Sequence, residues 1–412
     1  MTTRWLEQRS DRSKALQSSA VREILKVTQQ PDIISFAGGL PAPEFFPTQR
    51  VKEAAARLMD SEQATVALQY HPTEGYLPLR QTLATQMQDL GVPCTAENIL
   101  ITSGSQQSID LLGKVLINPG DKVIVEKPTF LGFLQAWGIY GADFVSVETD
   151  DDGIIPESLA AALQQGIKAI YLIPNFQNPT GVTISAERRA AVVALADQYS
   201  VPLLEDDPYG RLRYEGDALP PLMAYDVRHV SAGGDGPLSE GNVVYLGSFS
   251  KTFCPGIRIA WACGPTEIIR LMTQAKQGAD LHTSTFGQML THEVARDGFI
   301  DVHVARLIKA YRARRDLMLR LMDKHFPENV SWTHPKGGLF LWVRLPEELD
   351  AQEVFQTAIK RNVAFVPGQS FFPDGGGKNT LRLNFSNAYP ELIEEGILRL
   401  AEVLSEIVAP VS

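Results

Sequence analysis

The chain has 412 residues, 44% hydrophobic and 21% charged, with 38 basic against 48 acidic side chains for a formal net charge of −10. That balance suits a globular protein of two domains, or one large domain with an appendage, and argues against nucleic acid or an anionic membrane as the main partner. No apolar run reaches the roughly 20 residues that span a bilayer, and the opening MTTRWLEQRSDRSK lacks the apolar core of a signal peptide. Cys94, Cys254 and Cys263 form no CxxC pair and the seven histidines no HExxH, so reduced thiols, a cytoplasmic location and no metal site are expected.

Residues 1–30 read as a polar arm and a short amphipathic helix with Val21, Ile24, Leu25 and Val27 on one side, and Arg22 on a solvated face. Residues 33–47 are extended, with Gly38 and Gly39 suited to close backbone approach. A helix is expected over 48–60, and the loop LQYHPTEGYLPLR (68–80) leads into another near 77–90. From about residue 96 strands and helices alternate. Strands are expected at 98–102, 122–126, 143–147, 168–173, 201–205, 243–247 and 258–263, with helices near 105–117, 130–140, 156–164, 185–199 and 265–275. This predicts an α/β domain with a mostly parallel, seven-stranded, helix-covered sheet, in which ligands bind at the carboxyl ends of the strands.

Residues 231–241 read as a flexible surface loop. A long helix near 300–325 carries the run Tyr311-Arg312-Ala313-Arg314-Arg315, read as its solvated face. Strands at 331–334, 339–345, 363–365 and 380–385 and a helix at 390–408 suggest a smaller α+β domain completed by the N-terminal segment. The expected division is an arm and helix over 1–47, a large domain over 48–298 and a small domain over 299–412. Residues 374–378, DGGGK, fit neither GxxxxGK[ST] nor GxGxxG after a strand and read as a turn.

The chemistry gathers at successive strand ends. VVYLGSFSKTFCPGIR (243–258) is a buried strand followed by a tight turn with Ser248, Ser250 and Lys251, and Arg258 seven residues on. Two hydroxyls and two cations suit a small phosphorylated cofactor, and a lysine held there can form an imine with a carbonyl. After 98–102, Ser103-Gly104-Ser105-Gln106-Gln107 opens a helix whose free N–H groups suit a phosphate. After 168–173, PNFQNPTG presents an asparagine amide, and after 201–205, DDPYG presents a carboxylate and a phenol. Each turn alone is ordinary, as a cap or a bend. Four in this order are not.

The segments SFAGGLPAPE, LQYHPTEGYLPLR, GSQQ, NPTG, EDDPYG, GSFSK with Arg258, and LRLNFS together resemble the fold-type I, pyridoxal 5′-phosphate-dependent class I/II aminotransferases, over residues 16–408. The likeness is greatest to the 2-aminoadipate/kynurenine aminotransferase subgroup. The resemblance implies that Lys251 forms the Schiff base and moves the substrate α-proton, and that Asp206 faces the pyridine nitrogen while Asp207 is structural. Asn178 and Tyr209 would bond the ring's phenolate oxygen. Ser105, the Gln106 N–H, Ser248, Ser250 and Arg258 would hold the phosphate, joined by Tyr70 of a second subunit in a homodimer. Phe130 stands where the family stacks an aromatic on the ring, often tyrosine. Arg382 would bind the substrate α-carboxylate, assisted by Asn175, with Gly39 lining the pocket and Arg22 meeting an acidic side chain.

The implied reaction is ping-pong transfer from 2-aminoadipate, glutamate, aromatic or leucine-like amino acids to a 2-oxo acid such as 2-oxoglutarate. Two rivals are a C–S lyase or related eliminase on the same fold, and a transcriptional regulator. The latter needs a basic DNA-binding domain for which the sequence before residue 35 leaves no room.

Overall fold

The computed structural model describes residues 4–14, 16, 24, 30, 32–230, 238 and 241–407. Arg22 and the expected helix around it, apart from the buried Ile24, lie outside the described residues, as does nearly all of the 231–241 loop.

The main sheet runs, edge to edge, β2 (Ile99–Thr102), β9 (Ala260–Cys263), β8 (Val243–Ser248), β7 (Leu203–Asp206), β6 (Ile167–Leu172), β3 (Lys122–Lys127), β4 (Asp143–Asp150) and β5 (Gly153–Ile154). Only β9 and β5 oppose the common direction. All seven expected strands are present, and an eighth, β5, adds two residues at the edge of β4. A two-residue strand has no alternation to detect.

The inner strands are largely apolar and buried because helices cover both faces. Val123, Val125, Leu204, Val244 and Leu246 pack on one side with Leu111, Leu112, Trp137 and Met272 of the helices Ser105–Leu116, Leu131–Gly138 and Thr266–Gln277. Their neighbours Ile124, Leu203 and Val243 pack on the other, with Leu79, Leu83, Leu159, Val192 and Met223 of the helices Leu77–Asp89, Pro156–Leu163, Ala186–Gln198 and Leu222–Val230. The two-residue period of a strand thus feeds two cores.

A second sheet, antiparallel, has the order β10 (Ser331–Trp332), β11 (Phe340–Arg344), β14 (Thr380–Asn384) and β13 (Val366–Pro367). The N-terminal segment joins this part of the chain, since β1 (Ile34–Ser35) pairs in parallel with β12 (Val363–Ala364). Phe36 continues the tie. Its N–H donates to Ala364 O and its carbonyl accepts from Asn384 N, each at 2.8 Å.

The basic run of the long helix Phe299–His325 corrects the sequence reading. Tyr311, Arg314 and Arg315 are buried. Tyr311 Oη accepts from Ala42 N at 3.0 Å, Arg314 bonds Ser386 O and the Glu44 carboxylate, and Arg315 bonds Pro335 O, Glu215 and Asp316. The guanidinium groups are buried because carbonyls and carboxylates from distant segments meet them there.

Candidate active site

The carboxyl ends of β2, β6, β7 and β8 open on one cavity of about 270 Å³, closed on its far side by Gly39, Phe340 and Arg382. Lys251, Arg258 and Arg382 are the cations among the described lining residues and Asp206 the one carboxylate. The cavity therefore favours an anionic ligand.

Lys251 is placed by the turn after β8. Its Nζ donates to Gly39 O at 2.7 Å, so the paired glycines do supply a close backbone approach. Burial, with Arg382 and Arg258 nearby, pushes its amine down to about 8. Ser248 Oγ accepts from Ser250 N at 3.1 Å and holds the turn closed.

Arg258 follows a 3₁₀ turn, Pro255–Ile257, and sits in the left-handed region at φ 60°. Its guanidinium crosses to the start of the Ser105–Leu116 helix and donates to Ser103 O at 3.2 Å. Gly104 makes that crossing possible. It has φ +89°, and a Cβ there would lie 2.0 Å from Arg258 Nη2. The helix N-terminus has no side-chain cap, and Ser105 Oγ is buried without a partner. Gln106 Nε2 donates to Gly132 O at 2.8 Å. Beneath this cup, Lys276 bonds Asp280 and Gln107 at 2.7 and 2.8 Å, while Gln107 Oε1 accepts from Ser103 N at 2.8 Å. Sequence reasoning missed this network, because an i,i+4 pairing such as that of Lys276 with Asp280 is ordinary along a helix and points to no ligand.

Asp206, 3% exposed, ends β7. Burial raises its carboxyl to about 7, against a lowering hydrogen bond from Tyr171 Oη to Oδ2 at 2.7 Å. Oδ1 has no partner. Asp207 turns the other way, accepting from Gly210 N at 2.9 Å and Tyr245 Oη at 3.3 Å, as a structural residue does. Asn178 Oδ1 accepts from Arg382 Nη1 at 2.7 Å, and its side chain also meets the Tyr209 hydroxyl. Burial holds that phenol well above its ordinary value.

Arg382, in β14, is 4% exposed. Its Nη2 donates to Ala37 O at 2.7 Å, and the guanidinium lies 4.2 Å from the Phe340 ring centroid and 5.1 Å from that of Phe371. Nε has no partner, and burial lowers the group to about 10.

The cavity thus gathers Ser105, Gln106, Phe130, Asn178, Asp206, Tyr209, Ser248, Ser250, Lys251, Arg258, Arg382 and Gly39, and adds Ile109, Pro208 and Phe340, which have no polar signature in a sequence. Asn175 does not line it. Its Oδ1 accepts from Arg189 Nη2 at 2.6 Å, because Arg189, fully buried, needs acceptors and also takes the carbonyls of Pro174, Ile184 and Pro220. The Asn175 oxygen is thus engaged within the chain itself. Tyr70 is 78% exposed, packed edge-on against His282 and away from this cavity.

A lysine with a lowered amine, an acid with a bare oxygen, an uncapped helix end beside an arginine, and a buried arginine fork are suited in charge and hydrogen bonding to a phosphorylated carbonyl compound and a carboxylate. Residues 32–400 match the family of class I and II aminotransferases. The chain is 42% identical to aromatic-amino-acid aminotransferase 1 of Thermococcus litoralis, covering 96% of this chain and 94% of that one. It is also 42% identical to the 2-aminoadipate transaminase of Thermus thermophilus, over 98% of each. Among solved structures, the kynurenine aminotransferase of Pyrococcus horikoshii in complex with PMP superposes with a TM-score of 0.92 at 41% identity, over 99% of each chain. The chain belongs to the class I and II aminotransferase family and is a pyridoxal 5′-phosphate-dependent aminotransferase of fold-type I.

Proposed function

We propose that the enzyme moves the amino group of 2-aminoadipate, glutamate, an aromatic or a leucine-like L-amino acid to a 2-oxo acid, 2-oxoglutarate foremost, in two ping-pong half-reactions. One observation carries the assignment of the site. Among the described residues, Ser105 Oγ, Asp206 Oδ1 and Arg382 Nε are buried polar atoms without partners, and all three residues line the cavity that holds Lys251. Buried polar atoms are costly unless something bonds them. A phosphate, a protonated ring nitrogen and a carboxylate would satisfy them in turn.

When bound, pyridoxal 5′-phosphate supplies an aldehyde carbon that exchanges one amine for another and a ring that draws electrons from the substrate Cα. Around it Ser105, the Gln106 N–H, Ser248, Ser250 and Arg258 would hold the phosphate, with Tyr70 reaching in from a second copy. Asp206 Oδ1 would accept the ring N–H. Asn178 and Tyr209 would bond the ring's phenolate oxygen, and Phe130 would offer it an aromatic face. Arg382 orients the substrate α-carboxylate, and Phe340 and Gly39 bound the space beside it. Lys251 Nζ, with its amine near 8, leaves Gly39 O and carries the proton to and from the substrate Cα. This reading takes the enzyme as a cytoplasmic homodimer without nucleic-acid or membrane partners. Each chain would comprise a large domain over 48–298 and a small one made of 299–412 with the arm 1–47. Among the described residues, no helix is long and apolar enough to cross a membrane.

The test offers one amino acid at a time to the loaded protein without acceptor. It follows released oxo acid, ammonia and the absorbance of the bound cofactor. One oxo acid per site without ammonia is expected, and continued release with ammonia would overturn the assignment in favour of elimination. Faster turnover of 2-aminoadipate and glutamate than of leucine or phenylalanine supports a contact from Arg22; the reverse order removes it.

A further inference from the structure

We propose that Tyr171 positions Asp206, deciding which carboxylate oxygen faces the cofactor and keeping that carboxylate ionised. This role rests on the assignment of Asp206 to the ring nitrogen. Tyr171 lies within β6 and is fully buried, in a run, AIYLI, that otherwise carries no polar side chain. β6 and β7 are parallel neighbours with Tyr171 opposite Leu204. Asp206 lies two residues beyond Leu204, on the same face. Two residues of strand advance about 6.6 Å, close to the reach of a tyrosine from Cα to hydroxyl, so the phenol spans the diagonal. Its Oη donates to Asp206 Oδ2 at 2.7 Å.

The donor cannot swing away. The Tyr171 ring stacks on Phe133 with centroids 3.8 Å apart and planes within 8°. One oxygen of Asp206 is thereby committed, and Oδ1, the unpartnered oxygen of a residue that lines the cavity, is left for a ligand. The bond also opposes the forces that would neutralise the acid. Burial and the neighbouring charge of Asp207 favour a protonated Asp206, while the Tyr171 hydroxyl favours the ionised form. Other titratable groups here are Tyr209, in the turn after β7, Glu126 on β3, beyond Tyr171, and the cations Lys251, Arg258 and Arg382 that line the cavity with Asp206. A neutral Asp206 could not hold a proton on the ring nitrogen.

Tyr171→Phe keeps the ring and its stack and removes only the hydroxyl. Four readouts separate positioning from packing: cofactor affinity by titration of the apo-protein, the pH dependence of the bound cofactor's absorbance, kcat against KM, and the thermal midpoint of the apo-protein. Positioning predicts an unchanged apo midpoint, cofactor affinity weaker by about tenfold or more, a shifted absorbance titration, and a fall in kcat with KM little changed. Combined with Asp206→Asn, the substitution should add much less than its single effect, because both break one coupled unit. Wild-type affinity and kcat in Tyr171→Phe, additivity with Asp206→Asn, or an apo midpoint falling in step with affinity would each overturn the proposal. Failure of the unsubstituted protein to bind pyridoxal 5′-phosphate would instead overturn the assignment of Asp206 beneath it.

Discussion

Replacing Arg382 with lysine keeps the positive charge and removes the fork, so it measures what the planar guanidinium contributes. The side chain now bonds Asn178 Oδ1 and Ala37 O, each at 2.7 Å, with Nε unpartnered and the Phe340 ring 4.2 Å away. A lysine can restore one contact to a substrate carboxylate but not two, and it loses the stacked face. One charge-assisted hydrogen bond is worth about 1.5–3 kcal/mol and the cation–π contact about 1 kcal/mol more. Together these amount to about 2.5–4 kcal/mol, or roughly a seventy- to ninehundredfold loss in kcat/KM. The assay is kcat/KM for acidic, aromatic and branched donors alongside cofactor affinity. Because the α-carboxylate is common to all donors, the loss should be uniform across them with cofactor affinity preserved. A loss confined to one class of donor, or an equal loss of cofactor affinity, would refute the reasoning.

Capture of pyridoxal 5′-phosphate by the apo-protein should depend on pH through Lys251. Its amine is lowered to about 8, so the protonated, unreactive form prevails below that pH and the neutral form above it. The stopped-flow rate should climb about tenfold per unit below 8 and level off above it, whereas an ordinary lysine would keep climbing toward about 10.4. Gly104→Ala forces a Cβ against Arg258 Nη2 at a positive φ, and should weaken cofactor affinity by about tenfold or more in the same titration. Arg314→Ala strands the Ser386 carbonyl and the partly buried Glu44 carboxylate, and should cost about 2–4 kcal/mol in urea denaturation of the apo-protein, with the cofactor site unaltered.

What the sequence disclosed about the site was local. Gly104-Ser105, Asn178, Asp206 and Lys251 each close a strand with a short turn, and a turn carries its own chemistry in a few adjacent residues. The strands were legible for the same reason, as apolar runs bounded by breakers. The errors lie where a side chain is defined by something far along the chain. Arg314 and Arg315 looked solvated because nothing near them in sequence hints at Glu44 or Glu215. The resemblance set Asn175 beside Arg382 at the substrate carboxylate, whereas its oxygen is taken by Arg189, 14 residues further along the chain. Tyr171 gave one faint signal, a hydroxyl inside an apolar buried strand, which obliges a partner without naming it. The helices Leu222–Val230, Thr285–Ala295 and Ala351–Lys360 were not anticipated.

The pairing of Ile34 with Val363 sets the order in which this enzyme can come into being. Ala37 and Gly39 lend their carbonyls to Arg382 and Lys251, and the segment that carries them has its strand partner only at the other end of the gene. On the ribosome the nascent chain emerges with that segment unpaired and keeps it so until almost everything else has been translated. The main sheet can form before then, complete with its lysine, but its cavity has no roof. A C-terminal truncation that spared every residue of the main sheet would still unmake the active site from the N-terminal side.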